Sequence, residues 1–402
     1  MPVIGRPQRL IVLLAALVAF GPLSVDLYLP SLPMIARDLQ ASAAAIQLTI
    51  GVFLGGISLG MLVYGPLSDR YGRRRLLLSG MLLYIIASLG CSLAADAEQL
   101  AGLRLLQAFG AAAATVLARA IVRDLFPASQ AARILSVMHL VTMVATLIAP
   151  ILGSYLMLVT GWRSLFAALT LYAAVCLVFV FVRIPETHPP QRRGSSVVGA
   201  FRSYGRLLGS ARAVGLILCM ALGFAGMFAY ITASPFVYIE YFGVSAQAYA
   251  GLFALNIFGI IVVTLINARW VGPLGPHRML LGGVAVAASS AVALAVVGGL
   301  SLGGLPAAVV ALLFYVSVTG LLGANCLASL LGEYPNQAGA AAGLAVATQF
   351  GLGMLASALV SAWHDGTPLP MTLIIGITGV GSALAYGLAC AAKAKASCSI
   401  DP

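Results

Sequence analysis

Gly65-Pro66-Leu67-Ser68-Asp69-Arg70-Tyr71-Gly72-Arg73-Arg74-Arg75 lies between two long apolar stretches. Four arginines and one carboxylate fall within these eleven residues, in a chain where only 8% of residues are charged. Hydrocarbon does not accommodate such a cluster, so the segment reads as an aqueous loop joining two membrane helices.

The surrounding composition leads to the same solvent. The 402 residues are 61% hydrophobic, with a mean hydropathy of +1.04. A water-soluble domain carries about 25% charged residues and 45–50% apolar ones. The net charge of +11 does not indicate nucleic acid, because the bases recur between apolar segments instead of forming one patch. Cys91, Cys176, Cys219, Cys326, Cys390 and Cys398 are scattered singly, which gives neither a disulfide framework nor a metal spacing. Leu10–Val25, following Arg6 and Arg9, has the form of a signal-peptide apolar region, but the stretch runs on through Pro30 and many apolar segments follow. An uncleaved first span is therefore expected.

About twelve segments approach the 20 residues that a spanning helix needs. The first six are Leu10–Pro30, Ile46–Tyr64, Leu76–Ala95, Gln99–Leu117, Ile134–Val159 and Leu165–Val182. Val214–Val237, Tyr249–Ile266, Met279–Gly299, Pro306–Leu330, Ala341–Ala362 and Leu373–Ala392 follow. The expected fold is an all-α membrane protein of two pseudo-symmetric six-helix bundles, residues 1–182 and 213–402, joined by a linker over 183–212. An internal echo supports the repeat: Gly272-Pro273-Leu274 follows the eighth span as Gly65-Pro66-Leu67 follows the second. The linker, with Pro185, Pro189, Pro190 and Arg192-Arg193, reads as a solvated connection with a short amphipathic helix lying on anionic headgroups.

With the N-terminus in the cytoplasm and alternating spans, 19 of the 22 bases fall inside; Arg37 and Arg163 fall outside and Arg104 within a span. The positive-inside rule then puts both termini in the cytoplasm.

Asp26, about sixteen residues into the first span, is the sharpest single clue. At 1.5 Å per residue it lies some 24 Å along the helix. It is either an acid at the outer interface or a carboxylate facing a central cavity, where desolvation favours taking up a proton. Pro30 and Pro33 bend the chain beside it. Arg104 in the fourth span either snorkels to the outer interface or meets polar groups inside the bundle, and Gln107 lies one turn on along the same face. His139, Gln47, Asn256, Asn325 and Gln349 are isolated polar residues in apolar spans, suited to interhelical hydrogen bonding or to a cavity wall. The stripe containing Phe224, Met227, Phe228 and Tyr230 suits helix packing or a pliable wall for apolar or cationic ligands. No phosphate-binding Gly-Lys loop, metal-ligand cluster or nucleophile with an adjacent base occurs in the sequence. Neither an enzyme nor a metal site is expected.

These residues resemble the major facilitator superfamily. Gly65–Arg74 is similar to its loop motif between the second and third helices, and Arg104-x-x-Gln107-x-x-Gly110 to its fourth-helix motif. Ala149-Pro150-Ile151-Leu152-Gly153 resembles the fifth-helix antiporter motif in Pro150 and Gly153, while Ser136, Ala145 and Ala149 stand where that pattern has glycines. A closer resemblance is to the bicyclomycin/chloramphenicol resistance exporters. It rests on Val25-Asp26-Leu27-Tyr28-Leu29-Pro30, Arg123-Asp124, Phe224–Phe228, Ser234–Glu240 and Phe253–Asn256.

The resemblance implies a monomeric, proton-driven drug antiporter of the bacterial inner membrane, working by alternating access on small amphipathic molecules. It implies no cofactor beyond the proton gradient and no nucleic-acid partner. Asp26 would be the proton acceptor and Arg104 a cavity-facing modulator of its protonation. Tyr28, Gln47, Gln107, His139, Phe228, Tyr230, Asn256, Asn325 and Gln349 would offer the substrate cavity. Gly65, Asp69, Arg70, Gly72, Arg73, Arg74, Arg123 and Asp124 would form a cytoplasmic gate, with Asp69 near the start of the eleventh span around Gly339. A proton-coupled metabolite symporter of the same fold is the alternative reading. A receptor or an intramembrane enzyme is the alternative of another class.

Overall fold

The computed structural model describes residues 7–188 and 197–398. The described residues are helical throughout, with no strand among them. Arg6, Pro189, Pro190, Arg192 and Arg193, used above for topology and the linker, lie outside the described residues, and so do the side chains of Lys395 and Cys398.

The first span is broken. Helix α1 (Pro7–Val18) and α2 (Phe20–Asp26) are followed by a 3-10 turn at Leu29–Ser31 and by α3 (Leu32–Asp38). The parts before and after Ala19 meet at 41°. Pro22, Pro30 and Pro33 explain the breakage, since each lacks the N–H that an unbroken helix needs. The span therefore extends eight residues beyond the expected end at Pro30.

Then come α4 (Ala43–Tyr71), α5 (Arg73–Leu93), α6 (Ala97–Leu125), α7 (Ala128–Thr160) and α8 (Arg163–Arg183). The linker helix is α9 (Val197–Leu208), followed by α10 (Ala211–Pro235), α11 (Ala246–Gly299), α12 (Gly304–Glu333), α13 (Ala338–Ala362) and α14 (Leu369–Cys398). Ten of these helices are long and apolar enough to span, and the bent first pair makes an eleventh. Helix α11, at 54 residues, is about 80 Å of chain, twice what one crossing needs. It turns at Gly275 (φ +78°), and so counts as two spans, giving twelve.

Hydroxyl and carboxylate caps set where spans begin. Ser42, Asp96, Ser210 and Ser245 each accept from the backbone N–H three residues on. At the other end of α4, Gly72 adopts φ +97° and passes the chain directly into α5. Gly275 turns the chain with similar dihedrals in the second half, but sooner after its Gly-Pro-Leu segment than Gly72 does after the first.

The halves meet along α4 and α13. Gly51 packs on Ser357, Gly55 on the Met354 thioether, and the Ser58 hydroxyl donates to the Ala347 carbonyl at 2.8 Å. Gln47 lies 3.4 Å from His364. These contacts use the part of α4 away from the arginine-rich loop. The bundle therefore has a closed end and a basic end, the latter carrying residues 65–75.

Helix α9 differs from its expected setting. Its Tyr204 and Leu207 are buried, and it packs on α13 and α4 instead of resting on lipid alone. Burial pushes the Tyr204 phenol above its usual range, and the nearby Asp69 carboxylate adds to the shift.

Close packing also fixes α7 against the broken span. A methyl group at Gly153 would collide with the Leu27 carbonyl. We expect Gly153→Ala to cost about 1–3 kcal/mol through this overpacking, read as a lowered thermal midpoint of the purified protein. Gly102→Ala, which meets open space, should leave the midpoint unchanged.

Candidate functional site

The break in the first span creates the site. In a regular helix the Tyr28 N–H would bond the Ser24 carbonyl, but here it bonds Val25 at 3.2 Å. The Ser24 carbonyl is thus released, and the Arg104 guanidinium donates to it at 2.8 Å. The same nitrogen donates to Gln107 Oε1 at 2.7 Å, and Gln107 in turn donates to Ser88 at 2.8 Å. Three rings enclose the cation: Phe53 at 4.2 Å, Tyr28 at 4.8 Å and Phe166 at 5.9 Å from their centroids. Cation–π attraction of this kind offsets part of the cost of burying the charge, by about 2 kcal/mol when desolvated. The Ser24 hydroxyl pairs with Tyr84 at 2.6 Å, and the Tyr28 hydroxyl with Thr49 at 3.0 Å.

Arg104 is fully buried, with no carboxylate partner among the described residues. Two of its nitrogens, Nε and Nη2, have no hydrogen-bond acceptor among the described residues. Of the two expected settings, Arg104 takes the one inside the bundle, bonded to polar groups of the first half with Gln107 among them, and it does not snorkel to the interface; in this conformation it opens on no cavity.

Asp26 points the other way. Two residues along a helix turn through about 200°, so Asp26 lies opposite both Ser24 and Tyr28. Its polar neighbour is Thr146 on α7, and Tyr249 at the start of α11 is within electrostatic reach. Asp26 is 4% exposed, so it is not an acid on the outer surface. It sits where the first half meets the second. Beside it, Tyr230 stacks on Phe253 at 6.0 Å and Tyr238 lies edge-on to Tyr249 at 5.9 Å. Sequence reading missed Thr146, Tyr249 and Ser24. Only Ser24 carried a signal, its place just after Gly21-Pro22.

The polar residues assigned to a cavity are mostly consumed by packing in this conformation. Asn256 donates to the Tyr230 hydroxyl at 2.9 Å, and Asn325 donates to Asn267 at 2.7 Å. Tyr28, Gln47, Gln107, Phe228 and Gln349 are likewise buried, with Phe228 against Phe350. His139 is exposed, contrary to a tightly packed role. Arg119, on α6, is solvent-accessible although protein encloses it, and it acts electrostatically on His139 and Arg123. All three are exposed, Arg119 and Arg123 on α6 and His139 on α7. Arg119 had been read only as a topological base.

The arginine-rich loop at residues 65–75 forms an ionic cluster within its own half. Arg73 bridges Asp69 at 2.6 Å and Asp124 at 3.1 Å, and also donates to Ser68. Its backbone N–H donates to Glu186 at 2.9 Å, and Thr187 donates to Asp124 at 3.1 Å. Arg74 donates to the Phe181 carbonyl at 2.8 Å, while Arg70 lies over Tyr71. The expected seat of Asp69 at the start of the eleventh span is not occupied: Gly339 faces open space, and Asp69 pairs with Arg73. Arg123 stands apart from these ion pairs and acts electrostatically on Arg119. Gly153 packs on Leu27 as described, and Pro150 lies within α7.

The Major Facilitator Superfamily family model matches residues 12–358. A Bacillus subtilis protein named "Uncharacterized MFS-type transporter YdgK" is 33% identical over 377 residues, 93% of each chain. A Haemophilus influenzae "Bicyclomycin resistance protein homolog" is 32% identical over 94% of each chain. The Escherichia coli "Multidrug resistance protein MdtL" is 30% identical over 72% of this chain and 73% of that one. Among solved structures, a D-xylose-proton symporter aligns with a TM-score of 0.72 at 17% identity, over 93% of this chain and 96% of that one. An inward-open xylose transporter XylE from E. coli aligns at 0.70 and 18%, over 93% and 94%. These structures match in fold alone. Twelve spans, a family match over most of the chain and relatives along nearly its whole length identify it as a member of the Major Facilitator Superfamily, a multi-pass membrane transporter and not a catalytic enzyme.

Proposed function

We propose that this protein is a proton-coupled exporter of small amphipathic drugs from the bacterial cytoplasm, an antiporter working by alternating access. The observation that carries the reading is Asp26: a carboxylate at the break in the first span, at the junction of the two halves, with no cation beside it among the described residues. A group so placed exchanges its proton as the halves rock, because the junction that hides it is the one that opens. The resistance proteins among the relatives favour drugs over nutrients as cargo.

The positive-inside distribution assigns the basic end to the cytoplasm. With that orientation, the contacts joining the halves at the end away from the arginine-rich loop support reading this as an inward-facing state, ready to receive cargo. Arg119, Arg123 and His139 bias the entrance toward neutral or anionic molecules over cations. Arg104 acts indirectly in this scheme: it clamps the Ser24 carbonyl and so sets the backbone that carries Asp26 two residues on.

In inverted membrane vesicles with a preformed pH gradient, a transported drug such as bicyclomycin or chloramphenicol should collapse the gradient. Asp26→Asn should abolish that collapse while the protein still inserts. Gradient collapse that persists unchanged in Asp26→Asn would remove this carboxylate from coupling. Drug-independent accumulation of a metabolite with protons would instead select the symporter.

Arg104→Lys should also fail, by at least about tenfold in drug-driven proton flux. An ammonium keeps the charge but lacks the planar fork that reaches Ser24 and Gln107 together under three rings. Wild-type flux in Arg104→Lys would show that charge alone suffices.

A further inference from the structure

We propose that a groove between the first and sixth spans binds an anionic phospholipid, with its phosphate among Arg9, Arg74 and Arg183. The groove has a volume of about 1070 Å³ and is lined by α1, α8, the start of α5 and residues 183–186. Its wall is apolar: Val12 and Ala16 on one side, Val175 and Phe179 on the other. Val12 is 70% exposed and Phe179 52% exposed, so this wall needs a hydrocarbon partner. Tyr172 closes the floor by donating to the Ala16 carbonyl at 2.7 Å.

The rim is what selects the headgroup. Arg9, Arg74 and Arg183 stand around it with one acid, Glu186. Glu186 already accepts the backbone N–H groups of Arg73 and His188 at 2.9 and 3.0 Å. Arg74 donates one nitrogen to the Phe181 carbonyl and lies 5.2 Å from the Phe181 ring, which fixes its head at the groove mouth. Arg9 and Arg183 have no carboxylate partner among the described residues. Hydrocarbon wall below and an excess of arginine above match a lipid with a charged phosphate and no compensating amine. The rim lies at the basic end, so the lipid belongs to the cytoplasmic leaflet.

The test is native mass spectrometry of the full-length protein in detergent, titrated with phosphatidylglycerol or phosphatidylcholine of identical acyl chains. Wild type should retain phosphatidylglycerol about thirtyfold more strongly or better, as two to three surface arginines imply. The Arg9→Gln, Arg183→Gln double variant should lose that preference while keeping the wild-type thermal midpoint in lipid-free detergent. Equal retention of the two lipids by wild type would overturn the proposal, as would an unchanged preference in a folded double variant. A second measurement needs no variant: phosphatidylglycerol should raise the wild-type thermal midpoint, and 10 mM inorganic phosphate should not. Equal protection by phosphate would mean an anion site without a lipid, and would also overturn it.

Discussion

The bond from Arg104 to the Ser24 carbonyl is the contact on which the rest of the first half depends. Prolines in the first span remove backbone donors, and the tightened turn at Val25 leaves a carbonyl without a helical partner. In a bilayer that carbonyl cannot turn to water, so another helix must supply the donor. A neutral amide would satisfy it. A guanidinium does so while also holding Gln107 and filling the space between Phe53, Tyr28 and Phe166. A buried cation that lacks a carboxylate is a costly choice for stability alone. It is consistent with a backbone that must remain broken, and therefore able to reorient Asp26, instead of annealing into a straight helix.

The two kinds of contact in this molecule suit opposite tasks. Across the halves, α4 and α13 meet through Gly51, Gly55, Ser58, Ser357 and Met354, with single neutral hydrogen bonds. Small residues let the backbones approach, and neither side buries a charge that separation would expose. Within the first half, by contrast, Arg73 ties α4, α5 and α6 together through two carboxylates. Under the alternating access proposed here, rocking would break the weaker contacts and leave the ionic ones intact. That is the mechanical requirement for two bodies that move as units.

Most of the fold was legible because lipid is a severe solvent. Apolar run length, interrupted by arginines, marks the spans, and Gly72 and Gly275 mark the tight reversals that the echoed Gly-Pro-Leu segments precede. The end of the first span was not legible, because the prolines that break it do not end it; α3 continues to Asp38. The site was legible in its members but not in its arrangement. Asp26 and Arg104 stand out as charges in apolar runs, yet the Ser24 carbonyl that draws Arg104 to the face opposite Asp26 is freed only by a local turn at Val25–Tyr28. Asn325 and Asn256 stood out equally and proved to be bonded inside their own half. An isolated polar residue in a span announces that a partner exists, and does not say whether that partner is a neighbour or a ligand.

The repeated loop shows why the halves are not mechanical equals. The turn at Gly275 has Arg269 and Arg278 nearby but no acid, and its neighbour His277 pairs with the Tyr386 hydroxyl by a hydrogen bond. Only the first copy has the carboxylates to hold Arg73, and Glu186 adds the start of the linker to it. The linker is thus fixed at its beginning to the first half, while α9 packs on helices of both halves, α4 and α13. Tyr204 on α9 lies beside Gly343 of α13 and within reach of Asp69 on α4. Closing the basic end must bring α4 and α13 together across that helix. In the proposed alternating-access cycle, either α9 would be displaced or its Tyr204 would join the closed contact, and in both cases the linker would take part as a moving element instead of a passive tether.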